Sequence, residues 1–137
     1  MNNQTRIVIL WLLLVVCMIL HFDYHVSEIF YGIDVKRPDA NGTIPSTIVL
    51  IRTAFHFAPM AILVILMWAT SKVARIVNLV LSVLYTLSHG MHLAGELKKG
   101  DNPSQMTLLS VTLLLAVTLV FASFRWYKDS TQNTSAG

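Results

Sequence analysis

Eight ionisable side chains fall inside runs of sequence that are otherwise apolar. His21, His25 and Glu28 close the first long apolar run, Arg52 and His56 open the second, and His89, His92 and Glu96 close the third. All five histidines of the 137-residue chain belong to this set. Ionisable groups within membrane-spanning segments are costly; they face the bundle interior rather than lipid, and by default they mark a functional site. On a helix turning about 100° per residue, positions i, i+4 and i+7 share one face, as do i, i+3 and i+7. The first helix therefore presents His21, His25 and Glu28 together and the third presents His89, His92 and Glu96. The two triplets have the same composition with the internal spacings reversed.

Imidazoles and carboxylates converging from neighbouring helices make a ligand set for a transition metal such as Zn, Fe or Cu, and helix bundles build such centres from inward-facing Glu and His. His21, His25, Glu28, His89, His92 and Glu96 are the expected ligands. Glu28 and Glu96 are also the expected proton acceptors of a metal-dependent reaction. The pattern is not the Glu-x-x-His pairing of soluble di-iron bundles, because each Glu here follows its His, and it is not H-E-x-x-H. Arg52 is a permanent cation that a metal would repel. It is expected either to pair with Glu28 or Glu96, or to orient, with His56, the anionic group of a lipid or quinone-like substrate.

Two other readings use the same residues. Haem would take His25 or His56 with His92 as axial ligands, with Gly90, Ala94 and Gly95 leaving space for the macrocycle. The surplus histidines and the two glutamates favour ions over haem. A metal-free polar network would suit a non-catalytic accessory subunit or sensor. Met18, Met60, Met67, Met91 and Met106 read as packing or lipid-facing residues rather than a copper relay. Cys17, the single cysteine, reads as a small apolar residue and excludes an intramolecular disulfide.

The elements that position these residues are membrane helices. The chain is 55% hydrophobic and 12% charged, with a mean hydropathy of +0.63, outside the balance of a soluble domain. Four apolar stretches, 6–31, 46–70, 72–97 and 103–127, are each long enough to cross a hydrocarbon core. The expected fold is all-α, a single integral membrane domain over 1–137 made of four antiparallel transmembrane helices. No cleavage site follows the first run, so it is kept as a helix rather than a signal peptide. A net charge of +3 without a basic block gives no support for nucleic-acid binding.

Gly32 is the expected stop of the first helix, and Pro38, Gly42 and Pro45 mark the loop that follows. Ser46 is expected to cap the second helix and Pro59 to bend it. Thr70, Ser71 and Lys72 make so short a link that the second and third helices should form a hairpin. Gly100 and Asp101 end the third helix, after which Asn102, Pro103 and Gln105 read as N-cap, first helical position and capping box. The tail 129–137, rich in Ser, Thr and Asn, is expected to be disordered. Trp11, Trp68, Trp126 and Tyr127 look like an interfacial aromatic belt. Counting Arg6, Lys72, Arg75, Arg125 and Lys128 against Lys36, Arg37, Lys98 and Lys99 places both termini in the cytoplasm. The sequon at Asn41 has meaning only in a eukaryotic secretory setting, which nothing else in the sequence supports.

Overall fold

A computed structural model describes residues 1–36, 40–99 and 102–132. It is an all-α bundle with no strand among the described residues. The first span is α1 (Asn3–Ser27) followed by a 3-10 turn, Glu28–Tyr31. The second, Ser46–Trp68, consists of α2 (Ser46–Arg52), a π turn (Thr53–Phe57) and α3 (Ala58–Trp68). The third and fourth are α4 (Lys72–Lys99) and α5 (Pro103–Gln132). All four are long and apolar enough to cross a membrane, and the large side chains left exposed along them, such as Leu12, Ile65, Leu87 and Leu114, are apolar. By length and composition the chain is a multi-pass membrane protein.

Helix ends follow local chemistry, with some departures from expectation. Asn2 caps α1, its Oδ1 accepting from the Thr5 amide at 2.8 Å. Gly32 adopts the left-handed conformation that closes the 3-10 turn, at φ 76°. Pro45, not Ser46, occupies the N-cap of α2, without a side-chain cap. Asn102 does cap α5, accepting from Ser104 N at 3.0 Å, but Gln105 completes no capping box because its side chain turns into the bundle and is buried. No Gly or Pro lies between Tyr127 and Gln132, and α5 runs on to Gln132, with Asp129 accepting from Asn3 Nδ2 at 2.8 Å. That bond puts the start of the first span and the end of the last at one end of the bundle. The expected features at Arg37, Pro38, Asp39, Gly100, Asp101 and 133–137 lie outside the described residues.

Pro59 has no amide proton for the Phe55 carbonyl. The helix responds by widening just before it: the Ala58 amide donates to Thr53 O, five residues back. Ala54 O thereby loses both available amides, since Ala58 is engaged and Pro59 has none. The hydroxyl of Tyr85 in α4 donates to it instead. Broken backbone at membrane depth is tolerated where neighbouring side chains satisfy it in this way.

Packing order does not follow chain order. The closest helix pairs are α4 with α5, α1 with α5, and α1 with α3. The second and third spans meet across the bundle through side chains, Phe55 against Tyr85 and His89. The second span is the least buried of the four. Each helix contributes a seam at steps of three, four or seven: Ile7, Trp11, Leu14 and His21; Pro59, Ile62 and Leu66; Asn78, Ser82, Tyr85, His89, His92 and Glu96; and Gln105, Leu109, Thr112, Ala116, Leu119 and Trp126. Trp11 and Trp126 are buried in this core rather than forming a belt, whereas Trp68 is exposed.

Candidate functional site

The seams of α1 and α4 carry the two histidine triplets into one layer, and part of each triplet meets there. His21 and His92 point their Nε2 atoms at each other, 3.1 Å apart, with ring planes at 89°. The His25 ring stands edge-on to His21 at a centroid distance of 4.7 Å. His25, His92, Gln105 and Glu96 are the polar groups acting on His21. His21, Glu96 and Gln105 are all buried, and His25 and His92 are half-buried. Three of the four spans thus converge, with α5 contributing Gln105.

Other members of the expected set lie elsewhere. His89 is buried one turn deeper, with its ring against Phe55 at 5.7 Å and Tyr85 at 6.3 Å, and its polar neighbours are His92 and His21. Glu28 begins the 3-10 turn. It is half-buried and is not among the groups acting on His21. Arg52 pairs with neither glutamate among the described residues; it is exposed, with its guanidinium 5.9 Å from the Phe22 ring centroid. With His56, Phe22 and Phe57 it lines a separate cleft of about 330 Å³. His56 Nδ1 is buried there without a hydrogen-bond partner.

Gln105 is the residue that local motif reading misplaces. Asn-Pro-Ser-Gln imitates a capping box, yet Gln105 also opens the seam that continues through Leu109, Thr112, Ala116 and Leu119, and that spacing governs where it points. Its amide lies in the layer with neither Oε1 nor Nε2 in hydrogen-bonding geometry, and the Nδ1 of His21 is likewise buried without a partner. Both are orphaned polar groups in an apolar setting, an arrangement that is costly unless something completes it.

A second polar layer lies toward the other end of the bundle. Trp11 Nε1 donates to Asn78 Oδ1 at 2.9 Å, and Asn78 Nδ2 donates to Ser123 Oγ at 2.8 Å, all three buried. Every polar atom named there has a partner, which distinguishes it from the histidine layer. Gly90, one of the small residues set aside for a macrocycle, faces α5: a Cβ there would meet Leu113 Cδ1 at 3.8 Å.

Among the described residues, no three His, Cys, Asp or Glu side chains are arranged to hold a metal ion as they stand. Comparison of the chain with family models, curated proteins and solved structures returns no match.

Proposed function

We propose that this multi-pass membrane protein binds a transition-metal ion, Zn, Fe or Cu, between α1 and α4, with His21 and His92 as its primary ligands. The observation that carries this reading is the 3.1 Å approach of their Nε2 atoms. Two nitrogens each about 2.0–2.1 Å from one ion lie about 3.3 Å apart at a tetrahedral centre and about 2.9 Å apart at an octahedral one. The pair is spaced like two adjacent vertices of such a polyhedron. His25 and Glu96 would supply the further donors by side-chain rotation, and Gln105, on turning its amide, would accept from His21 Nδ1–H and orient the ligand from behind. His89, among aromatic rings, supports His92 rather than the ion. The Nε2 of His92 is turned to His21 at 3.1 Å rather than presented to a macrocycle shared with His25 or His56, which favours an ion over haem.

Such a centre supports Lewis-acid or redox chemistry, with Glu96 placed as proton acceptor. Arg52 and His56, in their own cleft, are assigned to the anionic group of a lipid or quinone-like substrate. We place both termini in the cytoplasm on the distribution of basic residues.

One observation favours a second reading. The Trp11, Asn78 and Ser123 layer shows that this bundle builds metal-free hydrogen-bond networks, and a neutral His21 and His92 pair can share one proton in the same way. Elemental analysis of detergent-purified protein separates the two, comparing wild type with His21→Gln/His92→Gln. An amide keeps a hydrogen bond and ligates poorly. The metal reading expects stoichiometric metal in wild type and its loss in the double variant. Wild type that takes up no Zn, Fe or Cu, or a double variant that keeps full metal, would leave the structural network as the function of the layer.

A further inference from the structure

The basic residues at the terminal end of the bundle are not equivalent. Arg75 is engaged by its own fold: its guanidinium donates to the carbonyls of Trp126, at 2.8 Å, and Thr70, at 3.3 Å, and lies over the Trp126 ring. Lys128 sits over the Phe124 ring. Arg6 on α1 and Arg125 on α5 are exposed, and neither side chain has an ion pair, hydrogen bond or ring contact among the described residues. Asp129, an acid at the same end, accepts from Asn3 instead.

Arg6 and Arg125 line one groove between α1 and α5, with a volume of about 380 Å³. Its floor is made by Ile9, Leu10, Phe121 and Ala122. Leu10 lies four residues beyond Arg6 and Phe121 four residues before Arg125, so at 1.5 Å per residue the apolar floor descends about 6 Å or more from the two charges into the hydrocarbon region. Two guanidiniums at interfacial height above an apolar trough are complementary to an amphiphile with an anionic head and a hydrocarbon chain. Snorkelling explains one arginine reaching for water. It does not explain two, from different helices, on one groove with an apolar bed.

We infer that the groove between α1 and α5 is a binding site for an anionic phospholipid, its phosphate accepting from Arg6 and Arg125 and its acyl chain lying along Ile9, Leu10 and Phe121. Guanidinium groups suit phosphate because their planar fork matches its oxygens, and basic pockets between membrane helices on the cytoplasmic side hold such head groups. The site is at the opposite end of the bundle from the histidine layer and stands or falls independently of the metal reading.

The test is native mass spectrometry of full-length protein in detergent, titrated with phosphatidylglycerol and, separately, phosphatidylcholine. Phosphatidylglycerol should bind in preference, and Arg6→Gln/Arg125→Gln should bind it about thirtyfold more weakly, the combined effect of two basic residues at an anionic membrane surface. Arg75→Gln should leave the preference intact. Glycerol 3-phosphate, the head group without chains, should not compete. Equal binding of the two lipids, an unchanged double variant, or full competition by glycerol 3-phosphate would overturn the proposal. Helical circular dichroism and the thermal melt of the double variant report that the bundle is intact; if it is not, each single Arg→Gln variant is expected to show a partial loss, and no loss in either would count equally against the site.

Discussion

Asn78 has one amide group and uses both ends of it, accepting from Trp11 and donating to Ser123. Replacing it by Leu removes both bonds and leaves the Trp11 indole N–H without an acceptor in an apolar interior. Hydrogen bonds between membrane helices contribute about 0.6 kcal/mol on average and up to about 1.7, and an orphaned buried donor adds to the loss. Thermal unfolding in detergent should therefore show Asn78→Leu destabilised by roughly 1–3 kcal/mol. Trp11→Phe combined with Asn78→Leu should cost clearly less than the sum of the two singles; strict additivity would mean that the bond contributes nothing. At this scale the sequence was partly legible. His21, His25, His92 and Glu96 share a layer because helical spacing alone puts them there. Trp11 was misread because tryptophan near a helix end most often anchors at the interface, and only its step of four from Ile7 and three to Leu14 reveals the seam. That Glu28 opens a 3-10 turn was not legible, because the change from α to 3-10 geometry leaves no mark in residue types.

Pro59 acts on the whole second span. It converts one turn to π geometry, and the Ala54 carbonyl that this strands is satisfied by the Tyr85 hydroxyl of another helix. Tyr85→Phe should cost roughly 1–3 kcal/mol, the range for an unsatisfied buried polar group. Pro59→Ala restores a backbone N–H and lets the turn rewind to α geometry, returning an amide partner to the stranded carbonyl. The double variant Pro59→Ala/Tyr85→Phe should thus melt closer to wild type than Tyr85→Phe alone. A double variant less stable than Tyr85→Phe would show that the π turn is held by something other than the missing proton. A proline bend was readable from sequence. That it takes the form of a π turn with a phenol as its remedy depends on a residue twenty-six positions away, beyond any local pattern.

Across the whole molecule, an even number of crossings returns the chain to its starting side, and the bond between Asn3 and Asp129 ties the two ends together. Single cysteines introduced at Asn2 and at Gln132, in a Cys17→Ala background, should react alike with a membrane-impermeant maleimide applied to intact cells. Labelling of one and protection of the other would refute the four-span architecture. Span number was legible because twenty-odd apolar residues leave few alternatives. Neighbour relations were not. The short link at Thr70 and Ser71 implies that the second and third spans lie side by side, yet α4 packs closest to α5, where Gly90 meets Leu113 and Asn78 reaches Ser123. Connectivity fixes where two helix ends lie; small and polar seam residues decide which flanks approach.

The pairing of the first helix with the last bears on how the protein is made. During translation α1 leaves the ribosome before α4 and α5 and enters the bilayer with the Trp11 indole and the His21 imidazole on its seam. Asn78, which accepts from that indole, is synthesised 67 residues later, and Gln105 and Ser123, which complete the two layers, come only with the final span. Until α4 follows, the Trp11 indole and His21 Nε2 lack the partners that they have in the finished bundle. The seam of α1 must therefore be sheltered by water, by the insertion machinery or by another membrane protein while the second span and α4 are made.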